Sequence, residues 1–219
     1  MPRAFADRRD AGRRLARRVC EVAEVSAADD VVVLGLPRGG VPVAAEVAEA
    51  LGAPLDMLLV GKVGVPGHEE LALAAAADDG TVVVNTQVQA AAGLADADVD
   101  ELARRTVNAL AARGAELRPP GSSPAIDLTG RLVVVVDDGM ATGATMRVAL
   151  AVVRGRGARL VVAAVPVAPM EATGAVAAEA DRTVCVLTPR DFHAVGPWYD
   201  DFTQVDDREV RELLGSSGL

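Results

Sequence analysis

The stretch VVVVDDGMATGAT at 133–145 sets two adjacent carboxylates, Asp137 and Asp138, directly after a β-branched apolar run and before a loop of glycine, alanine and threonine. Each part offers a different chemistry. A helix beginning in this loop would aim its unpaired N–H groups and the positive end of its dipole at an anion; Gly143 lets the backbone approach closely, and Thr142 and Thr145 add hydroxyl donors. Such a cradle suits a phosphate. Carboxylates do not help to bind a phosphate, but they accept hydrogen bonds from vicinal sugar hydroxyls and attract Mg²⁺ to a nearby pyrophosphate. Hydroxyls beside a phosphate point to a ribose phosphate. Two other apolar runs end in comparable polar turns, LPRGG at 36–40 and Gly61–Lys62. In open α/β sheets, ligands gather at the carboxyl ends of the strands.

The elements that must position these turns are legible from periodicity and breakers. Helical spacing runs through 8–25 with Asp7 available as N-cap, and VVVLGL (31–36) reads as a buried strand. A helix over 41–52 closed by Gly52 and a second buried strand over 54–62 complete a βαβ unit. Gly64, Pro66 and Gly67 then break the pattern, and two apolar runs flank the turn signal Asp79–Gly80, so an antiparallel arm is expected here. A long amphipathic helix (96–118) leads to PPGSSP (119–124), the one linker-like stretch. It is not read as a domain boundary, because the same apolar strand character resumes with RLVVVV. A helix over 144–156, a strand over 158–168, a helix over 171–180, a strand over 183–188 and a tail helix over 206–214 follow. Continuous Val-rich strands between helices predict an α/β fold whose central sheet is mostly parallel and covered on both faces. The whole chain, 1–219, is read as one domain.

Composition bounds the function. With 219 residues and 51% hydrophobic content the chain can bury a full core. Its net charge of −9 argues against non-specific binding to nucleic acid or to an anionic membrane, so an anionic ligand must be held by local groups. Cys20 and Cys185 fall in apolar patterns without metal-ligand spacing and are read as buried, reduced thiols, which suits a cytoplasmic protein. The N-terminus has no apolar signal region, and no apolar run is long enough to span a membrane. Neither a G-x-G-x-x-G nor a G-K-[ST] motif occurs. Of five aromatic residues, four (Phe192, Trp198, Tyr199, Phe202) lie between 192 and 202.

Four apolar residues, two acids and a small-residue loop with T-G-x-T resemble the phosphoribosyl pyrophosphate signature of the type I phosphoribosyltransferases. FADRRDAGRRLA, LPRGGVPVA, GVPGHEELALAA and WYDDFTQVDDREVRELL extend the resemblance over nearly the whole chain, to a stand-alone bacterial group of phosphoribosyltransferases. The resemblance implies the type I fold, with an antiparallel arm (62–86) that closes over the site and a small C-terminal hood (188–219). It implies Mg²⁺-dependent transfer of ribose 5-phosphate from phosphoribosyl pyrophosphate to a nitrogenous acceptor such as a nucleobase, as in nucleotide salvage. Asp137 and Asp138 would hold the ribose hydroxyls. Met140, Ala141, Thr142, Gly143, Ala144 and Thr145 would line the site, 141–145 taking the 5-phosphate, and Arg38 with Gly39 and Gly40 would take the pyrophosphate.

Further expectations come with it. Arg38 and Lys62 would neutralise the leaving group, with His68 or Glu70 brought in on closure. Mg²⁺ would be held mainly through substrate and water near Asp137 and Asp138. A non-proline cis peptide is expected at Pro37–Arg38. Phe192, Trp198 and Tyr199 are candidates to stack on the acceptor, or else form a small satellite core under the tail helix. Enzymes of this fold that use 6-oxopurines carry a third acid where this chain has Ala141, which makes such an acceptor less expected. A homo-oligomer stays open. The alternative reading is a non-catalytic sensor of phosphoribosyl pyrophosphate or a nucleotide that regulates a partner protein.

Overall fold

Asp7 accepts a hydrogen bond from the Asp10 amide at 2.7 Å. This cap starts α1 (Arg8–Cys20), which buries Ala11, Leu15, Ala16 and Val19 and is followed by the single turn α2 (Ala23–Ser26). Strands and helices then alternate. β1 (Val31–Gly35) leads into α3 (Gly40–Leu51), ended by Gly52 in the left-handed conformation, and β2 (Leu55–Met57) follows. Next come the antiparallel strands β3 (Val60–Val65), β4 (His68–Ala77) and β5 (Val82–Val84), then α4 (Thr86–Ala92) and α5 (Asp96–Leu117). β6 (Leu132–Val136), α6 (Ala144–Gly155), β7 (Leu160–Val167), α7 (Met170–Ala177), β8 (Arg182–Leu187) and α8 (Asp207–Ser216) complete the chain. The computed structural model describes residues 4–118 and 125–216, and the linker-like 119–124 lies outside them.

The central sheet has the order β2-β1-β6-β7-β8, and every pairing in it is parallel. Side chains alternate between its faces. Val32, Leu34, Val133 and Val135 pack with Met146 and Leu150 of α6, Val176 of α7 and Ala75 and Ala77 of the arm. Val31, Val33, Leu132, Val134 and Val136 pack with Leu15 and Val19 of α1 and Val43 and Val47 of α3. Because both faces are covered, β1 and β6 at the centre of the sheet are apolar and buried at every position, each buried valine or leucine contributing about 1.5–3 kcal/mol. Between β1 and β6 the winding reverses: the chain moves out to β2 on one side and to β7 and β8 on the other. Crevices at such reversals are where open α/β sheets bind ligands.

Several expectations need correction. The single strand read over 54–62 is two: β2 stays at the edge of the parallel sheet, while β3 belongs to the arm. The chain crosses between the sheets at Leu58, whose amide donates to Gly35, and Leu59, whose carbonyl accepts from Asp78. Gly64 lies inside β3 at an irregularity in the pairing, and the turn is made by Pro66–Gly67. The hairpin at Asp79–Gly80 forms as expected, closed by the Ala77 amide on the Thr81 carbonyl. The helix read over 8–25 breaks at Glu21–Val22. α4 was not anticipated; it is capped by Asn85 and buries no residue, so it leaves no apolar period to read. Cys20 is exposed, because Val19 takes the inward position at the end of α1, while Cys185 is half-buried; both are free thiols. Among the described residues no helix is long and apolar enough to cross a membrane.

Leu150 is 1% exposed and joins α6 to the sheet. Leu150→Ala is expected to cost about 2–5 kcal/mol in urea unfolding; a loss under 1 kcal/mol would mean that α6 is held by something other than this contact.

Candidate functional site

Gly35 and Val136 are register partners, so the turns that follow β1 and β6 start side by side. The Leu36 amide donates to the Val136 carbonyl at 2.8 Å and continues the pairing one residue past the strand. The Pro37–Arg38 bond is cis, as the resemblance led us to expect. The two turns then touch. A Cβ on Gly39 would stand 2.0 Å from Asp138 Oδ2, and one on Gly40 would stand 2.7 Å from the Val136 carbonyl oxygen. Both glycines are therefore required by the closeness of the acidic pair, whatever they bind. The Arg38 side chain leaves this turn to meet Asp207 at 3.4 Å.

The carboxylates occupy unlike settings. Asp137 accepts from the Asp138 amide at 2.8 Å, and burial, then the neighbouring Asp138 charge, push its carboxyl well above the usual range. Burial also raises Asp138, but the Arg8 guanidinium opposes the rise by donating Nε to Oδ2 at 2.8 Å. Arg8 and Asp138 side chains are only 11% and 15% exposed. Arg8 is fixed in turn by Nη1 on the Thr203 carbonyl at 2.8 Å and by lying 3.9 Å over the Phe202 ring. Sequence reading gave Arg8 and Thr203 no role and Phe202 only a place in the aromatic cluster at 192–202. The available signal was chemical: two adjacent half-buried acids need a cation, and none stands in their own loop.

After the acids, Gly143 has φ +76° and caps α6, whose first amides have no carbonyl of a preceding turn to meet. Ala141, Thr142, Ala144 and Thr145 are exposed, and the Thr142 hydroxyl oxygen accepts from the Ala144 amide at 3.3 Å. This is a helix N-terminus open to an anion. Met140 turns inward: its side chain is 6% exposed in the core and its amide donates to Val167 at 3.1 Å, so it supports the loop from beneath.

The aromatic segment also differs from expectation. The Tyr199 ring is 2% exposed, packed against Phe5 and Phe202, and its hydroxyl donates to the Asp138 carbonyl at 2.5 Å. It is unavailable for stacking on an acceptor. Phe192 and Trp198 are half-buried at the edge of the same cluster. Residues 4–6 and 198–201 are joined by backbone hydrogen bonds, so the two chain ends form one body beside the acids. Of the arm residues, Lys62 donates to the Glu70 carbonyl at 3.3 Å and faces its carboxylate at 3.8 Å. Both line a 520 Å³ groove with Ala144 and Thr145, which puts Lys62 on the α6 side of the site. His68 is exposed at the start of β4.

Residues 9–202 match the phosphoribosyl transferase domain family. The chain belongs to that family. Two relatives from Mycobacterium tuberculosis, strains CDC 1551 and H37Rv, both named provisionally as phosphoribosyl transferases, are 47% identical over 210 residues. That is 96% of this chain but 46% of each relative, so the chain spans about half the length of the curated relatives it matches. The crystal structure of TT1426 from Thermus thermophilus is 44% identical and superposes with a TM-score of 0.83, covering 96% of this chain and 97% of that one. The order and reversal of the phosphoribosyl transferase sheet thus come with a shared sequence.

Adding a methyl group at Gly39 forces either the turn or Asp138 to move. Gly39→Ala is expected to lower stability by about 1–3 kcal/mol in thermal or urea unfolding; a loss within 0.5 kcal/mol would show that the turn has more room than its contact with Asp138 implies.

Proposed function

We propose that this phosphoribosyl transferase chain moves ribose 5-phosphate from phosphoribosyl pyrophosphate to a nitrogenous acceptor such as a nucleobase, releasing pyrophosphate. The observation that carries the reading is the meeting, at the reversal of the sheet, of two carboxylates, an open helix N-terminus and an arginine-bearing turn. Each matches one part of the donor. Asp137 and Asp138 accept from the ribose hydroxyls, Thr142, Thr145 and the first amides of α6 hold the 5-phosphate, and Arg38 with the Gly39–Gly40 backbone holds the pyrophosphate.

The acceptor nitrogen attacks C1 as the C1–O bond to pyrophosphate breaks, through a state with oxocarbenium character. The chain's own part is to fix the ribose against the attacking atom, neutralise the leaving group and exclude water. Carboxylates are hard oxygen donors that suit Mg²⁺, yet among the described residues no group of three or more acids, histidines or cysteines forms a cage for a metal. The ion would be carried by the diphosphate and touched near Asp137 and Asp138, where it would offset the charge of the leaving group.

Calorimetric titration with phosphoribosyl pyrophosphate, with and without Mg²⁺, tests the reading. Mg²⁺-dependent binding is expected, and an absence of binding under both conditions would sink it. Asp137→Asn combined with Asp138→Asn should weaken binding on the order of 100-fold or more, two charge-assisted hydrogen bonds being worth about 1.5–3 kcal/mol each, without unfolding the chain. Unchanged affinity would remove the acids from the site.

The ligand needs both carboxylates ionised, whereas the folded chain raises both. Protons therefore compete with the ligand. Affinity should fall as pH drops through a midpoint above the ordinary aspartate value of about 3.9. Titrations at several pH values check this, and a flat profile down to that value would contradict it.

A further inference from the structure

Asp207 opens α8, far along the chain from the phosphoribosyl motifs, yet two distant guanidiniums converge on its carboxylate. Arg113, near the end of α5, donates Nη2 to Oδ1 at 2.6 Å and Nη1 to Oδ2 at 2.8 Å. Arg38, in the turn after β1, donates Nη1 to the same Oδ1 at 3.4 Å. The platform beneath is firm: Val205 and Val210 pack with Val41 of α3, Met57 of β2 and Leu117 of α5.

The two contacts have different characters. A bidentate fork locks both the position and the plane of a carboxylate. The single longer contact to Arg38 orients its guanidinium but leaves donors for another acceptor. The charges divide the same way. Arg113 neutralises Asp207, and its own further partner, Glu116 at 2.7 Å, lies on the exposed face of α5. Arg38 therefore keeps most of its positive charge for an incoming anion. A bare carboxylate at this place would repel a diphosphate; one already neutralised by Arg113 orients Arg38 without that penalty.

We infer that Asp207, locked by Arg113, is a positioning residue that holds the Arg38 guanidinium at the turn after β1 for the diphosphate of the donor. The inference rests on the phosphoribosyl reading above and assigns the tail helix a part in it. It also explains why the first turn of α8 carries its acid toward the site.

The test is calorimetry on the 219-residue chain, with Mg²⁺-pyrophosphate, ribose 5-phosphate and phosphoribosyl pyrophosphate as separate probes. Asp207→Ala and Arg113→Ala should each weaken pyrophosphate and phosphoribosyl pyrophosphate by about 3- to 5-fold, the upper end of what a part-exposed ion pair contributes. Ribose 5-phosphate, which does not reach Arg38, should change less than twofold. Asp207→Ala on top of Arg38→Ala should add nothing, because the pair acts as a unit. Thermal unfolding checks that each variant is folded; if Asp207→Ala is not, Asp207→Asn, which keeps the shape but loses the charge, takes its place with the same expected split.

Pyrophosphate affinity that is unchanged or tighter in the Asp207 variant overturns the inference, the second outcome making Asp207 a competitor of the ligand. Equal weakening of ribose 5-phosphate, or additive effects in the double variant, reduces the residue to general support of the fold and also overturns it. A parent chain that binds none of the three probes overturns the phosphoribosyl reading first, and this inference with it.

Discussion

Two adjacent carboxylates, half-buried at the end of one strand, are the constraint around which the rest of the site is arranged. Like charges this close, part-removed from water, raise each other's cost unless a cation is brought to them. Here the cation is Arg8, from the first turn of the first helix, and its place dictates others. To keep Arg8 on Asp138, the tail must pass over it, with Phe202 against the guanidinium plane and the Thr203 carbonyl accepting its second hydrogen bond. Tyr199 then fills the space beneath and gives its hydroxyl to the Asp138 carbonyl. The pairing of residues 4–6 with 198–201 follows from the same need. The aromatic residues lie together because the acids require a dry, rigid wall on this side.

The same carboxylates set the backbone on their other side. Parallel pairing of β1 with β6 brings the turn after β1 against Asp137 and Asp138, and only glycine at 39 and 40 fits the resulting gap. α3 and α6 consequently begin at the same edge of the sheet, on opposite faces of it. One crevice thus receives two helix N-termini, two acids and Arg38. The acids favour hydroxyls and the helix ends favour anions, so on the phosphoribosyl reading the crevice suits a molecule that carries both in fixed relation.

How much of this could be read from the chain depended on whether a feature was local. β1, β6, α3 and α6 were legible because runs such as VVVV and a stop such as Gly52 act over a few residues, and the site's motifs sit at the ends of those elements. Crossing of the chain from β2 to β3 was not, since VVVLGL and PLDMLLVGK look alike in composition and only the edge position of β2 ends it at Met57. Met140 was placed in the site because it stands between Gly139 and Ala141; that its side chain turns down into the core depends on α7 and β7. Tyr199 was read as a stacking platform because rings near a site often are, but its surroundings come from Phe5, almost the whole chain away. Arg8 was missed for the same reason, its partner being 130 residues distant.

An acidic chain with a site for an anion poses an electrostatic problem, since a net charge of −9 repels a polyphosphate at long range. The solution visible in the fold is to keep cations in the crevice already paired: Arg8 with Asp138, Arg38 with Asp207, Lys62 with Glu70. A paired cation is already oriented and has given up part of its water, so an entering phosphate meets donors that are in place and does not have to order a free side chain. The two looser pairs, at 3.4 Å and 3.8 Å, are those whose cations lie toward the diphosphate and phosphate ends of the crevice on the phosphoribosyl reading. The tight one, at 2.8 Å, belongs to the acid that must stay in place. On the phosphoribosyl reading, attraction is then short-ranged and geometric: an anion gains from the site only when its phosphates and hydroxyls are spaced to meet these pairs together, and a dispersed positive field that would draw nucleic acid or membranes is not needed.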